Sequence, residues 1–202
     1  MIGYSLHKYL HKKITLNNRI KVLSFELSRI IDPGSVLDVG CGSGEISQKV
    51  MDRNGSVSII GIDVLVRPNT MIPVEEYQGE IFPASDNKFD SVIFIDVLHH
   101  TPNPFLLLKE AKRVSRKYII IKDHNCNNSF QRKILSFTDW FGNFHFGVHL
   151  ERNFFSKNEW MGMLNKLDLK VISYKPVKIY PWFTKVIFWE EMDFIIKLQI
   201  DK

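Results

Sequence analysis

The stretch Val36-Leu-Asp-Val-Gly-Cys-Gly-Ser-Gly44 decides how this chain is read. A strand-like apolar run enters a turn built on Gly40, Gly42 and Gly44, and a helical pattern follows from Glu45 to Arg53. Glycines at such a turn accept left-handed backbone and let a ligand come close to the main chain. The pattern is near the dinucleotide fingerprint G-x-G-x-x-G, with its third glycine one position early. Asp38 stands just before the turn, where a carboxylate is awkward for a pyrophosphate and suited to a cation. Asp63 ends the next buried strand, Ser58-Ile-Ile-Gly-Ile62, about 20 residues further on, where an acid grips a ribose diol. A glycine-rich turn alone is often only a tight connection. Two acids in these places make a ligand loop the stronger reading.

Outward from the turn, short β-branched runs alternate with helical patterns. Strands are expected at Glu75 to Gln78, Asp90 to Ile95 and Lys117 to Lys122, with a helix between the last two. Asn103 is its expected N-cap and Pro104 its first residue. Such alternation implies right-handed crossovers and a parallel sheet. Beyond Asp123 the rhythm changes. A helix is expected from Phe130 to Phe141, an aromatic loop from Gly142 to Phe155, and a capping box at Ser156–Glu159 before a helix ending near Leu167. Strands follow at Leu169 to Tyr174 and Asp193 to Ile200, joined by the aromatic segment Tyr180 to Trp189. The first 32 residues read as one or two helices, with Leu6, Tyr9, Leu10 and Ile14 on one face and Ile20, Leu23, Leu27 and Ile30 on another.

The composition excludes several classes. With 202 residues, 45% hydrophobic and 24% charged, the chain is expected to fold as one domain rather than remain disordered. It divides into a helical cap (residues 1–32), a ligand-binding half (33–123) and a cover (124–202). Cys41 and Cys126 cannot make a disulfide framework and suit a reducing compartment. No secretory h-region and no membrane-spanning run is visible, so a cytoplasmic location is expected. The net charge of +5 is uneven: residues 1–32 carry +4, 33–123 carry −2 and 124–202 carry +3.

Together these motifs resemble the class I S-adenosylmethionine-dependent methyltransferases (methyltransferase type 11-like). Leu37 to Gly44 is similar to the family's first motif and Gly61-Ile-Asp63 to its second. Gly79-Glu80-Ile81 falls where the family commonly has Gly-Asp-Ala, with a longer acid and a larger apolar residue. Phe89 to His100 resembles the fourth-strand motif. The family's Pro-Gly-Gly turn before the fifth strand is missing. The resemblance implies a Rossmann-like, doubly wound, mostly parallel seven-stranded sheet with an antiparallel last strand and helices on both faces. It implies S-adenosylmethionine as cofactor, held by Asp38, Gly40, Cys41, Gly42, Gly44, Asp63, Val64, Glu80, Ile81, Ile95 and Asp96. The segments Asp139 to Asn143, Asn153 to Ser156 and Tyr180 to Trp182 are similar to a bacterial subgroup of unknown acceptor.

Methyl transfer is an in-line displacement at a sulfonium, so the protein mainly holds nucleophile, methyl and sulfur in line. Because the charge on sulfur disappears in the transition state, Asp38 is better assigned to the amino end of the cofactor or to loop geometry. An oxygen or nitrogen acceptor needs a base at the carboxyl ends of the fourth and fifth strands. The candidates are His99, His100 and His124, with Asp123 beside the last; His145 and His149, in the aromatic loop, are within reach of the acceptor as further candidates, and His7 and His11 suit a solvated helix face. A metal on Asp96, His99 and His100 is not expected, since adjacent side chains rarely meet at one ion. Nucleic-acid methylation is not favoured, because neither Asn/Asp-Pro-Pro-aromatic nor a Pro-Cys nucleophile is present. A small-molecule acceptor, apolar or anionic, is expected under Trp140, Phe141, Phe144 and Phe146. Tyr180 to Trp189, with Lys178 and Lys185, is a candidate dimer contact or membrane-surface contact. A non-catalytic S-adenosylmethionine-binding partner subunit and an NAD-dependent oxidoreductase are the alternatives.

Overall fold

The computed structural model describes residues 16–143, 151, 153–179 and 192–201. The face through Leu6, Tyr9, Leu10 and Ile14, together with His7, His11, Phe144, His145, Phe146, His149 and Tyr180 to Trp189, lies outside the described residues. So do the side chains of Trp140 and Phe141.

The elements run α1 (Asn17–Ile30), β1 (Gly34–Val39), α2 (Glu45–Arg53), β2 (Val57–Asp63), β3 (Val74–Glu76), β4 (Phe89–Ile95), a 3-10 turn (Leu98–His100), α3 (Pro104–Val114), β5 (Ser115–His124), α4 (Ser129–Asn143), α5 (Lys157–Lys166), β6 (Leu169–Pro176) and β7 (Asp193–Ile200). The seven strands lie in the order β3-β2-β1-β4-β5-β7-β6. Pairing is parallel from β3 through β5, and β7 runs antiparallel to both β5 and β6. The chain leaves β1 toward one edge and returns to its other side as β4. The crevice at the carboxyl ends of β1 and β4 is therefore the switch point where open α/β sheets take ligands.

Alternate residues of each central strand feed opposite faces, as the two-residue strand period requires. Leu37, Val39, Val92, Phe94, Ile119 and Ile121 pack under α3 and under Trp160 of α5. Val36, Ile93, Ile95 and Ile120 pack under Leu23 and Leu27 of α1 and Val50 of α2. Each fully buried aliphatic side chain contributes about 1.5–3 kcal/mol, so both faces must be covered and the strands read as unbroken apolar runs.

The expected caps form. Asn103 accepts from the Leu106 N–H at 3.0 Å, with Pro104 opening α3. Ser156 and Glu159 make both halves of a capping box at α5. The missing Pro-Gly-Gly turn has a simple outcome: α3 ends at Val114 and β5 begins at Ser115 with no intervening loop. The stretch expected to be loop from Gly142 onward begins slightly later, since α4 continues to Asn143. The amino-terminal cover is tied to the carboxyl-terminal strands: Asn18 Nδ2 donates to the Ile179 carbonyl at 2.8 Å and Lys197 Nζ to the Ile30 carbonyl at 2.9 Å.

Candidate active site

Gly40, Gly42 and Gly44 have φ of 70°, 59° and 71°, left-handed values that a side chain strains to adopt. A Cβ at Gly40 would also meet Val97 Cγ2 at 2.7 Å. The turn thus passes directly against the residue that follows Asp96, which joins the glycine loop to the end of β4. Asp63 steadies the turn from β2, accepting from the Gly42 N–H at 2.7 Å and the Leu65 N–H at 3.0 Å. Cys41 packs over β2, where a Cβ at Gly61 would collide with its Sγ, so Gly61 is there to make room.

Asp38 is 2% exposed. Its Oδ2 accepts from Ser47 Oγ at 2.6 Å, while Oδ1 is buried with no hydrogen-bond partner among the described residues. Burial raises its pKa to about 7, opposed by Ser47 and reinforced by Asp63. A buried, unsatisfied carboxylate oxygen beside a glycine turn fits a cationic donor group such as an ammonium.

The far side of the crevice is more open. Val64 is 49% and Ile81 is 71% exposed, and Glu80 is exposed. Glu76, Tyr77, Gln78, Glu80, Ile81 and Pro83 line a shallow cleft there, and Val64 touches the position where a Gly79 Cβ would stand. Exposed apolar surface beside acids suits a purine with an amino edge. Ile95 ends β4 in the core.

At the carboxyl ends of β4 and β5 lies a buried network of charges. Asp96 has φ 58°, a left-handed value uncommon for a residue with a side chain. Lys122, 0% exposed, donates to Asp96 Oδ1 and, at 2.7 Å, to Asp193 Oδ1. Arg19 of α1 donates from Nη2 to Asp96 Oδ2 at 2.7 Å. His124 lies between the two acids, with Nδ1 3.0 Å from Asp193 Oδ1 and Nε2 3.4 Å from Asp96 Oδ1. Burial and Lys122 pull the His124 pKa down, but Asp193 and Asp96 outweigh them and leave it raised. Burial works against ionised Asp96 too, yet Lys122, Arg19, His124 and His99 hold its carboxyl well below the usual range.

The expected pairing of His124 with Asp123 is not what forms. Successive strand residues point to opposite faces, so Asp123 turns to His99, whose Nδ1 is 2.6 Å from Asp123 Oδ1. Burial lowers the His99 pKa despite that acid. His100 stacks on His99 with ring centroids 3.9 Å apart and places Nδ1 3.3 Å from the Glu151 carbonyl. Asp96, His99 and His124 could each offer one ligand atom within 4.8 Å of the others. Asp96 already carries an ammonium and a guanidinium, however, and a metal ion there would stand against both.

Three members of this network were not found from sequence: Arg19, Lys122 and Asp193. Two of them left a signal, a lysine ending the apolar strand Lys117 to Lys122 and an acid opening the apolar strand Asp193 to Ile200; Arg19 left none.

Comparison with known proteins accords with this geometry. The methyltransferase domain family matches residues 9–174. A tRNA U34 carboxymethyltransferase of Methylococcus capsulatus is 36% identical over 89 residues, covering 38% of this chain and 27% of that protein. A ubiquinone biosynthesis O-methyltransferase of Histophilus somni is 26% identical over 112 residues, covering 48% and 46%. The chain thus matches less than half the length of either relative. Among solved structures, the Burkholderia thailandensis 1,6-didemethyltoxoflavin-N1-methyltransferase, with S-adenosylhomocysteine bound, superposes with TM-score 0.65 at 12% identity, covering 91% of this chain and 79% of that one. A glycine turn with a buried acid, a second acid ending β2, the order β3-β2-β1-β4-β5-β7-β6 and the match over residues 9–174 agree: the chain belongs to the class I S-adenosylmethionine-dependent methyltransferases.

Proposed function

We propose that this chain catalyses methyl transfer from S-adenosylmethionine to an oxygen or nitrogen of a small molecule. The observation that carries the reading is the junction of two half-sites at the switch point. The glycine turn with its unsatisfied Asp38 oxygen packs on Val97, next to the charged rim of Asp96 and His124. The cofactor, when bound, supplies an activated methyl group with a neutral thioether as leaving group.

The chain's own residues bind, orient and move a proton. Gly40, Gly42 and Gly44 expose main chain to the cofactor, with Cys41 packed behind them. Asp63 keeps the turn in shape through the Gly42 N–H and offers its remaining lone pairs to the ribose. Asp38 meets the ammonium of the methionine end, and Val64, Ile81 and Glu80 flank the adenine. Ile95 and Asp96 form the wall between cofactor and acceptor. His124 takes the acceptor proton once it has lost its own, held in place by Asp193 and Asp96. Asp123 and His100 act as positioning residues through His99 and the Glu151 carbonyl. A tRNA-modifying relative makes RNA the acceptor to run in parallel.

Turnover of labelled S-adenosylmethionine with fractionated metabolites, and with bulk tRNA as the control arm, tests the reading. Label in the small-molecule fraction that falls at least 100-fold in His124→Ala is expected. Label in tRNA alone refutes the acceptor class. Asp63→Ala is expected to weaken S-adenosylhomocysteine binding in calorimetry, and unchanged affinity contradicts the ribose assignment.

A further inference from the structure

Glu110 and Arg113 lie on α3, away from the glycine turn and from the charged rim. They pair across one helical turn, Nη2 to Oε2 at 2.6 Å and Nε to Oε1 at 2.8 Å. A surface pair of this kind is worth little alone, but this one reaches beyond its helix. Arg113 Nη2 also donates to the Phe82 carbonyl at 3.2 Å, and Nη1 donates to the Ala84 carbonyl and to Asp86 Oδ1, both at 2.8 Å. The guanidinium thus makes five hydrogen bonds, as many as it has N–H donors. Glu110 Oε2 accepts from the Phe82 N–H at 3.0 Å. Both main-chain polar groups of Phe82 are therefore held by one ion pair on another element.

Phe82 closes one end of the shallow cleft that Tyr77, Glu80 and Ile81 help to line. Gln78, Gly79, Glu80 and Ile81 make no hydrogen bond among the described residues, and the chain turns at Gly79 with φ 84°. This span is held at its two ends. At one, the Tyr77 N–H donates to the Asp63 carbonyl at 3.1 Å. At the other, the buried Phe82 ring meets Tyr77 edge-on, with centroids 5.7 Å apart. The ring fixes where the chain passes; the α3 pair fixes how its peptide groups are turned, and so how Glu80 and Ile81 stand over the cleft. We propose that Glu110 and Arg113 are positioning residues for base selectivity: they hold the cleft in the shape that tells an amino-bearing purine from its oxo counterpart. The inference rests on the proposed function above, in which Val64, Glu80 and Ile81 flank the adenine.

Calorimetry with S-adenosylhomocysteine and S-inosylhomocysteine (in which an oxo group replaces the adenine amino group) tests it on wild type, Arg113→Met, Arg113→Lys and Glu110→Ala, with a thermal melt of each. Wild type is expected to prefer S-adenosylhomocysteine about 10- to 100-fold, the range for a hydrogen bond to a charged group. In Arg113→Met and in Glu110→Ala that ratio falls to within about threefold, and Arg113→Lys keeps part of it. Should Arg113→Met fail to fold, Glu110→Ala decides, since Arg113 keeps its carbonyl partners there. An unchanged ratio overturns the selectivity role, and one accompanied by a lowered melting temperature makes the pair a brace only. Equal affinity of wild type for the two nucleosides also overturns it while leaving cofactor binding in place. No heat with either nucleoside on wild type overturns the methyltransferase reading and this inference with it.

Discussion

Asp38 ties the proton economy of the turn to ligand binding. An unfolded carboxyl titrates near 3.9, whereas burial lifts this one to about 7. The folded chain therefore binds more protons than the unfolded chain between those values. Its contribution to stability is full below about pH 4 and is lost as pH rises through about 7. Urea denaturation of the unliganded chain at pH 5 and pH 8 is expected to show Asp38→Asn less pH-sensitive than wild type by about 2–3 kcal/mol; parallel slopes would sink this account. His124 has the opposite consequence for rate. Its pKa is raised, with Asp193 and Asp96 prevailing over burial and Lys122, so a base at this position works only above the ordinary imidazole range. kcat is expected to climb with pH on a limb displaced above about 6.5, and His124→Gln should abolish that limb. Lys122 is the third case. Lys122→Met removes the ammonium that Asp96 and Asp193 share, and breaking such a buried pair costs about 3–5 kcal/mol. A loss of unfolding free energy in urea denaturation smaller than about 1 kcal/mol would show that the two acids find other partners.

Among the elements, the β1–α2 turn has the least tolerance. Gly40→Ala combines left-handed backbone, at about 1–2 kcal/mol, with overlap on Val97. It is expected to lose measurable S-adenosylhomocysteine affinity in calorimetry while retaining a cooperative melt, since the core faces of β1 are untouched. Most of these elements were legible in sequence because buried parallel strands are continuous apolar runs and helix starts carry local capping chemistry. β7 occurs where it was expected, and β6 extends past Tyr174 to Pro176. The glycine turn and the acids Asp38 and Asp63 were legible for the same reason: their spacing is local. The charged rim was not. Arg19 meets Asp96 across 77 positions and Lys122 meets Asp193 across 71, and no periodicity links residues so far apart. His124 and Asp123 are neighbours in sequence, and the strand pleat is what parts them.

Over the whole molecule, the two covers with excess positive charge meet: α1 docks beside β7 and the segment before it through Asn18, Lys197 and Lys175. The mildly acidic segment 33–123 holds the glycine turn and strands β1 to β5 up to Asp123, and the two basic segments flank it in sequence. The reversal of β7 has a further effect. In a wholly parallel sheet every strand delivers its last residue to the crevice rim, but an inverted strand delivers its first, and Asp193 arrives there by that route. Among the described residues the other charged members of the rim, Arg19, Asp96, Lys122 and His124, all precede residue 125. While a chain is being made, Lys122 and His124 must therefore wait for β7 before Asp193 can pair with them. Until then the Ile119–Ile121 edge of β5 also stands open. The glycine turn is thus built from earlier residues, while the charged rim is completed late and by a long-range contact, the kind that closes slowly. Nascent chains stopped before residue 193 are the ones expected to lean on chaperones.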